Sequence, residues 1–124
     1  MSEKTEQMVP MFSIVSNDFE KDLGVIRGLF AGLERMSHSD NAYRLSERAE
    51  FAAGWWFYDV YMTEEFAKQL FALIVPGAMR NPKRATAELV EALQGQLKKY
   101  GTDAKIKLHG SHPFAARWFA WLMS

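Results

Sequence analysis

The most restrictive feature of this 124-residue sequence is an almost unbroken apolar stretch at residues 51–62. Its last eight residues include seven aromatic or large aliphatic side chains, and only Asp59 interrupts them. Such a segment is either buried on most sides or forms a binding surface, because soluble proteins rarely expose large contiguous apolar patches. We therefore expect the rest of the chain to be organised around it.

Projection of residues 41–62 onto a helix places mostly small and aliphatic residues in one stripe and most of the aromatic side chains in the other directions. The stripe consists of Leu45, Ala49, Ala52, Ala53, Trp56 and Val60. Because a helix that is apolar all round is normally a core helix, the sequence predicts a central aromatic helix at about 41–62. Four of its side chains belong either to the core or to an exposed partner-binding patch: Trp55, Tyr58, Asp59 and Met62.

Four further segments carry helical signals. In the first segment, apolar residues recur every three or four positions. In the second, Thr63 is an N-cap that precedes two glutamates, and in the third, Asn81-Pro82 is a start signal. The fourth begins around Pro113. The expected helices span about 18–36, 63–75, 82–100 and 113 onward.

Two short segments favour strands. Residues 11–15 form a brief apolar run, and residues 104–108 alternate apolar and basic side chains, so each is the expected partner of the other. The predicted fold is therefore mainly α, with about five helices packed around the central helix and one two-stranded β element at most. This helical domain is expected at 11–124, after a flexible segment at 1–10.

The absence of cysteine excludes disulfides, thiolate metal sites and cysteine catalysis, and it fits a reducing compartment. The first seven residues lack the basic start and apolar run of a signal peptide. The longest uncharged run, at 69–79, is too short to span a bilayer and contains Pro76 and Gly77. We expect a cytoplasmic protein without a membrane partner.

The net charge of zero hides an asymmetry along the chain. Residues 1–66 contain six Lys or Arg and twelve Asp or Glu, whereas residues 67–124 contain nine and three. If this division survives folding, it favours head-to-tail self-association or a basic surface for an acidic partner. The alternative is a set of solvated helix faces that happen to segregate in sequence.

Three glycines, Gly24, Gly28 and Gly32, recur at intervals of four within the first predicted helix. Each costs about 0.8–1 kcal/mol relative to alanine in a helix interior. Glycines at this spacing allow the backbone of another helix to approach closely, either within the fold or in a partner chain. The alternative is that this side of the helix is exposed and tolerates glycine.

A second candidate surface is basic. Several cations lie in the second half of the chain and would neutralise phosphates if they shared one face. These nucleic-acid or anion candidates are Arg80, Lys83, Arg84, Lys98, Lys99, Lys105 and Lys107.

Signals for catalysis are weak. His109 and His112 are three residues apart but have few carboxylates nearby, so they are poor evidence for a metal site. Residues 37–40 read Ser-His-Ser-Asp, but a catalytic triad normally assembles from separate segments, and a capping loop explains them better. We expect no bound metal and no cofactor.

These observations favour a small non-enzymatic protein-binding module, an accessory protein, regulator or inhibitor that covers a partner's surface. The partner is another protein of unknown identity, and a homodimer is one option. The alternative is a nucleic-acid-associated protein that uses the basic second half. A small metal-dependent or hydrolytic enzyme is a third hypothesis.

Overall fold

The computed structural model describes residues 8–75 and 82–109, without the side chains of Pro82 and Lys83. These ranges contain three helices and a five-stranded antiparallel sheet, so the predicted mainly α fold is wrong. The elements in chain order are β1 (Met8–Ser16), α1 (Phe19–Met36), β2 (Tyr43–Leu45), β3 (Glu50–Ala52), β4 (Trp55–Thr63), α2 (Glu64–Ile74), α3 (Pro82–Lys99) and β5 (Lys105–Leu108).

The strand order is β2-β4-β1-β5, and β3 pairs with β4 beyond the end of β2. Because β1 covers one edge of β4, β2 and β3 lie along its other edge as two pieces of one interrupted strand. The chain therefore follows a β-α-β-β-α-β path of two interleaved split β-α-β units, and the second crossover contains both α2 and α3.

The predicted central helix at 41–62 is instead β2, β3 and β4. Burial in β4 alternates with period two: Tyr58, Val60 and Met62 are buried, whereas Trp55 and Phe57 are exposed. Aromatic and β-branched residues favour this extended conformation. Ala53 and Gly54 both have positive φ, at 54° and 85°, which is the geometry of a two-residue hairpin turn between β3 and β4.

Three predicted helices and the predicted strand pair are present in the described residues. Three predicted helices appear as α1, α2 and α3, and the Thr63 side chain caps α2 by accepting a hydrogen bond from Phe66 N at 3.2 Å. The expected strand pair also forms, with Ile14 opposite Ile106. β1 begins at Met8, inside the segment predicted to be flexible. The helix predicted from Pro113 lies outside the described residues.

One apolar core joins the helices to a single face of the sheet. Phe12 and Phe30, with ring centroids 6.0 Å apart, connect β1 to α1, and Met62, Phe66 and Leu89 are fully buried in the same cluster. The residues that alternate with the buried ones point to the opposite side, which we call the open sheet face. Over 8–75 and 82–109, no helix is both long and apolar enough to cross a membrane.

Candidate functional site

A groove, which we call the helix groove, lies between α1, the end of α2 and α3. It has a volume of about 460 Å³. Its lining includes the small residues Gly28, Gly32 and Ala92 and the large side chains of Met36, Leu73 and Tyr100. These three large side chains are 62%, 38% and 59% exposed, so apolar surface is available along the groove.

The glycines of α1 do not pack closely against another helix of the described chain. A Cβ added at Gly24 or Gly28 would meet nothing within 4 Å, and at Gly32 it would meet only the Arg35 guanidinium at 3.7 Å. The glycines are therefore compatible with close approach by a group outside the described residues. Arg35 is the single charged residue among the described residues that line the groove.

The open sheet face carries a second, more polar depression of about 280 Å³. Ser13, Arg48, Glu50, Phe57 and Lys107 are among its lining residues. Phe57 is 42% exposed in the middle of this face. The depression thus combines an accessible aromatic ring with charges of both signs.

A buried polar cluster connects the end of β1, the first turn of α1 and the segment before β5 through hydrogen bonds. The Asp22 carboxylate, only 1% exposed, accepts a hydrogen bond from Ser16 Oγ at 2.6 Å through Oδ2 and another from Thr102 Oγ1 through Oδ1. Thr102 Oγ1 in turn accepts a hydrogen bond from Ala104 N at 3.1 Å. Since all these side chains are sealed from solvent, we assign the cluster to stability.

Tyr58 borders this cluster. The pKa of Tyr58 is raised to about 12: burial is the largest cause, the Asp22 carboxylate adds to the rise, and the nearby Ser16 hydroxyl opposes it. Ser16 donates its proton to Asp22, and the Tyr58 hydroxyl has no hydrogen-bond partner with good geometry among the described residues. The fold therefore favours the neutral phenol.

We expect stability to fall between about pH 10 and pH 12 because of this tyrosine. An unfolded tyrosine with its ordinary pKa of 10.0 loses its proton in this window, whereas folded Tyr58 keeps it, so alkali favours the unfolded chain. The loss should reach about 2 kcal/mol, discounted for residual solvent screening. Urea unfolding across this pH range should show a shallower loss in Tyr58→Phe.

Tyr100→Phe is the matched control, because that ring is 59% exposed. Burial also raises the pKa of Tyr43, so some alkaline loss should remain in Tyr58→Phe. An unchanged pH dependence in Tyr58→Phe would contradict the assignment.

The structure separates the predicted partner-binding residues. Gly28 and Gly32 meet in the helix groove, whereas Gly24 is exposed outside its lining. Tyr58 and Met62 are core residues. The other two predicted residues, Trp55 and Asp59, point to the opposite side of the sheet, where Asp59 Oδ2 lies 3.7 Å from His109 Nε2.

Sequence reasoning missed the other residues of the helix groove, among them Met36, Leu73, Ala92 and Tyr100. They come from three helices that are distant in sequence, and no local pattern connects them. Met36, an apolar residue at the polar end of the first predicted helix, was the sequence signal that could have indicated this groove.

The predicted basic residues do not form one surface in the described chain. Lys105 and Lys107 lie on the open sheet face, whereas Lys98 and Lys99 end α3 in the helix layer on the other side of the sheet. Arg84 is exposed and lies 3.9 Å from Glu88 one helical turn away. Arg80 and the Lys83 side chain lie outside the described part.

Catalytic signals remain weak in the described ranges. No group of three or more His, Asp or Glu there could hold a metal ion. His112 is not among the described residues. In the loop after α1, Ser37 Oγ donates to Leu33 O at 2.9 Å, and Ser39 Oγ donates to Gln69 Oε1 at 2.6 Å, so these hydroxyls fix the loop.

Comparison of the chain with protein-family models, with curated proteins and with solved structures finds no match.

Proposed function

We propose that this protein is a non-enzymatic protein-binding module whose helix groove receives an apolar helical segment of a partner protein. The observation that carries the proposal is the open space at Gly28 and Gly32 beside the exposed apolar side chains of Met36, Leu73 and Tyr100. An amphipathic helix can lay its apolar face into such a groove, and its anchoring side chains recur at intervals of three and four.

The small residues in the groove lining favour a helix over a small molecule as the occupant. Gly28, Gly32 and Ala92 have little or no side chain, so a partner backbone can approach α1 and α3 closely. Met36 and Tyr100 would then contact the partner's apolar side chains, and both types of residue are common at binding surfaces. Arg35 offers one position for a partner carboxylate.

Binding of this kind would let the protein act as an accessory factor, regulator or inhibitor by covering a helix that its partner needs. The proposal includes a cytoplasmic location, with which the absence of cysteine agrees.

The test is to fill the groove without weakening the fold. Gly28→Leu places a large side chain in the groove lining. Leucine is also the better helix former by about 0.8 kcal/mol. Peptides selected from a displayed library of amphipathic helices on the wild-type protein should bind Gly28→Leu at least tenfold more weakly. The melting temperature of this variant should be equal to or higher than that of wild type.

Gly24→Leu is the matched control. It makes the same substitution one helical turn earlier, on exposed backbone outside the groove. It should gain similar stability and keep wild-type peptide affinity. Failure to select any peptide, or equal affinity of both variants, would refute the groove as the binding site.

A further inference from the structure

A single row of residues crosses the open sheet face from one edge to the other. Val15 on β1 pairs with Lys105 on β5 and with Phe57 on β4, and Phe57 pairs with Glu50 on β3. Directly paired residues in an antiparallel sheet point to the same face. The row therefore has a cation at one edge, an apolar centre and an anion at the other edge.

Lys105 and Glu50 cannot form an ion pair with each other within one chain. Three strand spacings of about 4.8 Å place Lys105 and Glu50 about 14 Å apart. Both side chains are exposed, and neither forms an ion pair with a described residue. Phe57 is also 42% exposed between them.

The row is complementary to itself under a two-fold rotation. An axis parallel to the strands, above the gap between β1 and β4, brings a second sheet face to face with the first. Lys105 and Glu50 lie about 7 Å on either side of this axis, so each Lys105 faces the second copy's Glu50. Val15 likewise faces the second copy's Phe57, close to the axis. Sheets that pack face to face in this way keep their strands within about 30° of alignment.

We propose that two copies of this chain associate through their open sheet faces, with two reciprocal Lys105–Glu50 pairs around a Val15–Phe57 centre. This is an isologous contact, in which one patch meets itself. The patch is small, and Arg48 shares the Glu50 end of the depression, so the association is weak and concentration-dependent.

The sheet contact goes beyond the proposed function and does not rest on it. The helix groove lies in the helix layer, on the other side of the sheet, so it stays accessible in the pair. The dimer would then carry two helix grooves. A partner with two helical segments would bind this dimer more tightly than it binds a single copy. Gly28→Leu should leave self-association unchanged, so failure of either proposal is distinguishable.

The experiment uses charge reversal in the full chain. Sedimentation velocity up to millimolar concentration should show reversible dimers of the wild type. Lys105→Glu and Glu50→Lys should each self-associate about tenfold more weakly, because each places like charges opposite each other twice. An equimolar mixture of the two variants should associate as strongly as wild type, since both pairs become complementary again in the mixed dimer.

Lys98→Glu is the control, with the same charge change at the end of α3, and it should dimerise like wild type. Circular dichroism should show that all variants are folded. A wild type that stays monomeric at every concentration, or a mixture that gains nothing over its components, would overturn the proposal. Salt-sensitive binding of single-stranded DNA that Lys105→Glu abolishes, without any self-association, would instead assign this face to nucleic acid.

Discussion

Val60→Lys is expected to prevent folding, whereas Phe57→Lys, three residues earlier on the same strand, should leave the protein folded. Val60 is completely buried against the helices, and Phe57 is 42% exposed on the open sheet face. A lysine without a partner in the core costs several kcal/mol, which is a large part of the 5–15 kcal/mol by which a typical domain is stable.

The comparison of Val60→Lys with Phe57→Lys tests directly whether these residues belong to a strand. Residues three apart in a helix lie on neighbouring positions of one face, so a helix would make both variants similar. In a strand they point to opposite faces. Far-UV circular dichroism and urea unfolding of the two variants should therefore give opposite results. Two variants that both fold, or that both fail to fold, would contradict the assignment of β4.

Asp22→Ala should lower the free energy of unfolding by about 3 kcal/mol. The substitution removes the acceptor of both the Ser16 and the Thr102 hydroxyl and leaves these two donors buried. Each unpaired buried hydroxyl costs about 1–3 kcal/mol. The cluster joins the end of β1, the first turn of α1 and the segment before β5, so its loss should affect the whole domain.

Urea unfolding of Asp22→Ala, Thr102→Val and the double variant measures the coupling. Because the two side chains share a hydrogen bond, the double variant should lose less than the sum of the single losses. Glu20→Ala is the control, since Glu20 is an exposed acidic residue in the same helical turn. It should change stability by less than about 0.5 kcal/mol. An equal effect of Asp22→Ala and Glu20→Ala would contradict a stabilising role of the cluster.

The candidate site was only partly predictable. The spacing of Gly28 and Gly32 indicated the wall that α1 contributes to the helix groove. The other walls come from α2 and α3, whose positions relative to α1 depend on packing across the core. The open sheet face was not predictable in the same way, because Lys105 and Glu50 share a row only through β1 and β4.

By itself, the sequence determined the elements whose signals are local. Cap residues and apolar spacing predicted α1, α2 and α3, and alternation predicted β5, because these signals act between residues a few positions apart. Only the tertiary structure decided whether the apolar stretch at 51–62 forms a helix or strands. Its aromatic residues fit a buried helix as well as a strand, and a strand obtains its backbone hydrogen bonds from distant residues. Pairing of β4 with β1 on one edge and with β2 and β3 on the other made this stretch part of a sheet.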